Sequence, residues 1–319
     1  MAKKKKRLKR KQKIRLTLFC TAVVAAIILV IYILSLAFCN KNPKDFKEEE
    51  PSIKNPQEEI LPEGYDYVTM SSEDIRRGDL ILVNHLYNYA FIYNEQTEFV
   101  KLSDNKFKYL HIQNYDMKLK KNVSDALYNL VSDFYDKTGV KNLNIISADR
   151  SYADQSKILE NRIETDGLDE ALKYVARPGY SEHNSGLAID FAVYNEDGSW
   201  GTFYGKYDYK WIAENAYKYG FILRYPSDKT EITKTAYESW HYRYVGAPHS
   251  YYIKQNNLCY EEYIDILKQT SFENKLNIKT EKGNYDVWFT SELKFLVPTD
   301  REYQISGNNA DGFIITAKN

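Results

Sequence analysis

Cysteine is scarce in this chain: three residues, Cys20, Cys39 and Cys259, among 319. No two stand in a CxxC spacing, so neither a disulfide scaffold nor a thiolate zinc ribbon can be built from them. A bound metal would have to take His and carboxylate ligands. Histidine is scarce as well, with five residues, so any cluster of them stands out. Net charge is absent, since 44 Lys and Arg balance 44 Asp and Glu. Wholesale disorder is excluded by a hydrophobic fraction of 43% and an aromatic fraction of 15%.

The neutral sum hides a division along the chain. Residues 3–15, KKKKRLKRKQKIR, carry ten Lys or Arg and no acid, which leaves the remainder at 34 basic against 44 acidic residues. Residues 16–39 then run for 24 positions without a charge. As a helix this run measures roughly 36 Å, enough to cross a hydrocarbon core of about 30 Å with some tilt. It exceeds the usual apolar core of a signal peptide, so a retained anchor is expected. The positive-inside rule keeps 1–15 cytoplasmic, against anionic headgroups rather than nucleic acid, and sends the rest of the chain outside the cell. Bulky Phe38 before Cys39 argues against lipoprotein processing.

Four of the eight prolines fall in residues 40–64, a polar stretch that reads as a disordered tether. A main domain is expected over 65–270. Leu80–Val83 and the Tyr-rich stretch after them suggest short strands and turns. Val123, Leu127, Leu130, Val131 and Phe134 recur at helical spacing, and Gly139 stops the pattern. Leu143–Ile146 and Phe221–Tyr225 read as strands, while 152–176 and 208–219 read as helical. The order is irregular, so α+β is favoured over a doubly wound sheet. Period-two alternation in 285–297 and on both sides of GNNADG (307–312) predicts a small β module over 271–319.

Two histidines lie in dense polar company. The first segment is Ser181-Glu182-His183-Asn184-Ser185-Gly186-Leu187-Ala188-Ile189-Asp190, where Gly186 permits a tight turn between His183 and Asp190. The second is Glu238-Ser239-Trp240-His241-Tyr242-Arg243. Two imidazoles and one carboxylate leave a fourth position of a Zn²⁺ ion open, which marks a catalytic site, and a carboxylate outside the ligand set can act as base. Glu238 is the candidate base, provided that it sits at a turn before the strand carrying His241. Spacing alone leaves open that these are unrelated polar residues.

Residues 143–246 hold the ordered motifs SADRSYADQ, ARPGYSEHNSGLAID, YGFILRYP and ESWHYRYVG. Together they resemble the zinc D,D-carboxypeptidases of the VanY type associated with vancomycin resistance. The resemblance implies a small α+β fold with a central antiparallel sheet and flanking helices. It implies Zn²⁺ on His183, Asp190 and His241, with Glu238 as general base. Arg150, Gln155 and Ser181 match further family positions, which implies substrate binding, and Arg150 suits either a terminal carboxylate or an oxyanion. Trp240 is a packing residue beside the substrate. The chain departs from the commoner Ser-Gly-Tyr-Arg at Ala148 and Asp149, and an acid beside Arg150 weakens its pull on an anion. The expected reaction is removal of D-Ala from peptidoglycan stem peptides or lipid-linked precursors ending in D-Ala-D-Ala. The alternatives are an endopeptidase, an L,D-carboxypeptidase, or a zinc-stabilised wall-binding module without catalysis.

Overall fold

The computed structural model describes residues 61–91 and 98–319. The basic segment, the apolar span and most of the tether expected over 1–64 lie outside the described residues. Among the described residues no helix is long and apolar enough to cross a membrane. Leu61–Asn319 forms one compact unit.

Fourteen strands are present in this unit: β1 (Tyr65–Thr69), β2 (Phe99–Lys101), β3 (Leu110–Ile112), β4 (Lys118–Lys120), β5 (Leu143–Ser147), β6 (Ala188–Tyr194) and β7 (Trp200–Thr202), then β8 (Phe221–Leu223), β9 (His241–Tyr244), β10 (Leu276–Thr280), β11 (Gly283–Thr290), β12 (Lys294–Pro298), β13 (Tyr303–Gly307) and β14 (Phe313–Lys318). The central sheet runs β3-β5-β6-β9-β8, with β7 also paired to β6. The expected antiparallel sheet is therefore mixed, because β3 and β5 run parallel. A parallel pair needs a crossover, and the helix Lys121–Thr138 supplies it.

That helix buries the five apolar positions read from its sequence, all at 4% exposure or less, and Gly139 ends it in the left-handed region at φ 71°. Each such side chain contributes about 1.5–3 kcal/mol relative to an exposed one. The expected helix at 208–219 is divided into a 3₁₀ turn, an α-helical turn Lys210–Asn215 and a second 3₁₀ turn.

Leu80–Val83 is buried but joins no sheet, contrary to the strand reading. Its backbone is engaged elsewhere: Leu80 N–H donates to Ser306 Oγ at 2.9 Å and Leu82 N–H to the Asn308 carbonyl at 3.1 Å. The Ile81 carbonyl accepts from Arg243 Nη2 at 2.8 Å.

The tail is β-rich as its alternation predicts, with β10-β11-β14-β13 in one sheet and β12 paired to β1. Its apolar face is not separate from the main domain. Ile278, Val287 and Ile314 share one core with Leu80, Leu82, Ile222, Val245 and Tyr263.

Candidate metal centre and active site

Strands β6 and β9 are antiparallel neighbours, and their register sets Asp190 directly opposite His241. A 3₁₀ turn, Glu182–Ser185, precedes β6 and carries His183. The chain then reverses at Gly186, whose φ is +66° and whose missing Cβ would lie 2.6 Å from Phe99 Cζ. Glycine is required there on both counts.

Donor atoms of His183, Asp190 and His241 all lie within 4.8 Å of one another, and all three residues are buried. His183 Nε2 is 3.2 Å from Asp190 Oδ2, and His241 Nδ1 is 2.9 Å from Asp190 Oδ1. Ligands held at about 2.0–2.2 Å around a tetrahedral ion stand about 3.3 Å apart, so this donor set fits a borderline divalent metal. The other ring nitrogens have fixed partners. His183 Nδ1 lies 2.6 Å from the Ala148 carbonyl, to which its N–H donates, leaving the Nε2 lone pair for a metal. His241 Nε2 faces Glu182 Oε2 at 3.4 Å, which leaves Nδ1 for the same role.

Burial opposes ionisation of Asp190, but His183 and His241 outweigh it and hold the carboxyl well below its usual range. Burial likewise opposes charge on His241, yet its bonds to Asp190 and Glu182 hold the imidazole up at about 9. In the metal-free protein His241 is therefore protonated at neutral pH, and a metal must displace that proton. Metal affinity should fall about tenfold per pH unit as pH drops from about 8 to 6. Competition titrations against a chromophoric chelator measure this, and a flat profile would contradict it. For the metal-free fold the sign is opposite. A raised His pKa stabilises fully below its unfolded value, and that contribution is lost as pH rises through about 9.

Glu238 sits at the turn before β9, with its carboxylate 3.9 Å from His241 Nδ1. Burial pushes its pKa up to about 7, against the opposing charge of His241. Arg150 follows β5, and its guanidinium donates to Gln155 Oε1 at 2.7 Å and to Ser147 Oγ at 2.8 Å. Gln155 is in turn anchored to the Ala176 carbonyl at 2.7 Å. Among the described residues Arg150 forms no ion pair. Asp149 is turned aside, accepting from Lys118 N–H at 2.6 Å, so the neighbouring acid does not cancel the guanidinium by contact. One cavity of about 610 Å³ is lined by all eight residues singled out from the sequence: Arg150, Gln155, Ser181, His183, Asp190, Glu238, Trp240 and His241.

A family model described as VanY, D-alanyl-D-alanine carboxypeptidase, matches residues 116–247, the span that holds those eight. A D-alanyl-D-alanine carboxypeptidase of Enterococcus faecium is 34% identical over 282 residues, covering 87% of this chain and 84% of that protein. The chain belongs to the VanY family. A bifunctional D-Ala-D-Ala dipeptidase and carboxypeptidase of Enterococcus gallinarum, VanXYC, is 38% identical over 41% of this chain and 70% of its own length. Among solved structures, the vancomycin resistance D,D-dipeptidase VanXYg, in complex with a D-Ala-D-Ala phosphinate analogue, matches with a TM-score of 0.72 and 29% identity. That match covers 80% of this chain and 99% of VanXYg.

Behind the donor set of this VanY-family chain lies a layer that the sequence reading missed. Glu182 is fully buried, and its Oε1 accepts from Arg224 Nε at 2.7 Å and Arg243 Nη1 at 2.8 Å. Arg224 also forks onto Glu261 at 2.6 and 2.9 Å. Burial resists the charge on Glu182, but the two guanidinium groups prevail and hold its carboxyl far below the usual range. The letters were visible, since Glu182, Arg224 and Arg243 all lie inside the family motifs. No local spacing links them. Tyr225 covers the His241 ring at a centroid distance of 5.0 Å. Asn84 and His85, from the segment entering the domain, also line the cavity. His249 is not in that cavity; it is bonded to Tyr263 Oη and Thr316 Oγ1 at 2.7 and 3.1 Å. His111 stacks on Tyr194.

Proposed function

We propose that this chain is a zinc-dependent D,D-carboxypeptidase that removes the terminal D-Ala from peptidoglycan stem peptides or their lipid-linked precursors. One observation carries the reading. An open donor set of two imidazoles and a carboxylate shares a cavity with a buried carboxyl near pKa 7 and a guanidinium that forms no ion pair among the described residues. The family, and relatives named for D-Ala-D-Ala hydrolysis, support it.

His183, Asp190 and His241 would hold the ion. Bound zinc supplies a Lewis acid that polarises the scissile carbonyl and acidifies a water to a pKa of about 7. Glu238 is matched to that proton, since a base near the operating pH both accepts it and returns it to the departing D-Ala amine. Arg150, braced by Ser147 and Gln155, offers its charge to an anionic oxygen, either the substrate's terminal carboxylate or the oxyanion. Ser181 and Trp240 line the substrate space.

The basic segment at 1–15 and the uncharged run at 16–39 support a single-pass anchor, with residues 65–319 outside the cell. A tether over 40–64 then gives a reach of roughly 25–30 Å towards nascent wall.

The test is to incubate the zinc-loaded protein with a pentapeptide ending in D-Ala-D-Ala and with the matching tetrapeptide, then weigh the products. The pentapeptide should lose one alanine residue, a chelator should stop the loss, and added zinc should restore it. Cleavage of the tetrapeptide alone would favour the L,D reading. Internal cleavage would favour the endopeptidase, and muropeptide binding without product the non-catalytic module.

A further inference from the structure

Arg150 stands on the short link between β5, which ends at Ser147, and the helix Tyr152–Asp166. A link of this kind has no ladder or helix of its own to hold it, so its place depends on bonds from elsewhere. One turn takes both main-chain groups of Arg150. Its N–H donates to the His183 carbonyl at 3.0 Å, and its carbonyl accepts from Asn184 Nδ2 at 2.7 Å. The same two segments meet again at His183 Nδ1, which lies 2.6 Å from the Ala148 carbonyl and 3.3 Å from Ser147 Oγ.

Asn184 belongs neither to the donor set nor to the lining of the catalytic cavity. It is 3% exposed, so it acts on a substrate only through a neighbour. The orientation of its amide is fixed, since the reverse would set Oδ1 against the Arg150 carbonyl, oxygen to oxygen. That orientation leaves Oδ1 buried with no hydrogen-bond partner among the described residues. A buried acceptor without a donor is unfavourable, and a leucine of similar size would fill the space without one. Stability alone does not account for an amide at this position.

We propose that Asn184 is a positioning residue, which fixes the Arg150 main chain against the turn bearing His183 and so sets the distance between the guanidinium and the metal donors. That distance has to match two points on one substrate, the carbonyl under attack and the anionic oxygen that Arg150 meets. Ser147 and Gln155 orient the guanidinium, whereas Asn184 holds the point from which the side chain springs. This rests on the proposed role of Arg150 in meeting an anionic substrate oxygen.

The test measures binding rather than turnover, on the full-length, zinc-loaded protein, with a D-Ala-D-Ala phosphinate analogue as the probe. Asn184→Leu should keep its zinc and bind the probe about tenfold or more weakly, the scale of a charge-assisted bond lost when a guanidinium shifts off its anion. Arg150→Met should also weaken binding. Adding Asn184→Leu to Arg150→Met should cost no more than about twofold, because the group that Asn184 positions is then gone. A merely structural asparagine would give losses that multiply. Asn184→Ala removes the amide without filling its space, and should show the same non-additivity. Wild-type affinity in both Asn184 variants, losses that multiply, or loss of zinc together with affinity would overturn the proposal. Arg150→Met binding as tightly as the wild type would overturn it together with the role given to Arg150. Failure of the carboxypeptidase reading would show separately, as a wild type that binds the probe but leaves the pentapeptide intact.

Discussion

Glu238→Ala should keep its zinc after dialysis and lose about 10²–10⁴-fold in kcat on a D-Ala-D-Ala pentapeptide, the usual contribution of a positioned acid–base group. The carboxylate lies 3.9 Å from His241 Nδ1 but is not one of the three converging donors. His241→Ala is the contrast, and should lose metal and turnover together. Folding does not confound the comparison. A carboxyl raised to about 7 by burial binds its proton more tightly folded than unfolded, so it costs stability as pH rises from about 4.5 to 7. Removing it should make the metal-free protein no less stable at neutral pH. Metal content and steady-state kinetics on one preparation decide the matter, and normal turnover by Glu238→Ala would remove Glu238 from the mechanism.

The largest effect on stability is expected at Glu182. Glu182→Ala leaves two fully buried guanidinium groups without their shared carboxylate. Arg224 keeps Glu261, whereas Arg243 keeps only the carbonyls of Asp79, Ile81 and Tyr244. Stranding a buried charge costs about 3–5 kcal/mol. The variant also removes the partner of His241 Nε2, and losing such a support typically weakens metal binding about 10–100-fold. Glu182→Leu combined with Arg243→Met should recover part of the stability but not the metal affinity. Denaturant unfolding and zinc competition separate the two effects. An unchanged unfolding midpoint in Glu182→Ala would show that the network carries no such energy.

The donor set was legible through the family resemblance and not through spacing, because Asp190 and His241 lie 51 positions apart and meet only when β6 and β9 pair. His183, Gly186 and Asp190 lie within one turn and one strand, and the Glu-x-Trp-His segment needed a neighbouring strand to meet them. The tail strands were legible because alternation survives where one face is buried. What failed to show were interactions between distant parts of the chain. The segment Leu80–Val83 has the composition of a strand, yet Arg243 and Ser306 take its backbone groups from more than 160 positions away. The antiparallel expectation for the central sheet missed β3, a three-residue strand whose parallel partner follows an intervening helix. Glu182 was given no role from the sequence, because its partners come from β9 and from just after β8.

The reach of Arg243 also bears on the order of assembly. One guanidinium joins the carboxylate behind His241 to carbonyls 162 and 164 positions away, and Leu80 is joined to Ser306 across 226. Contacts of such separation form late, because closing long loops is slow and is rewarded only once both ends have docked. A chain still emerging from the ribosome has made β6 and β9 well before β13 exists. The support behind His241 needs only residues 79–261 and can close before β13 exists, whereas the Leu80 N–H waits for Ser306 and the two ends of the domain to meet.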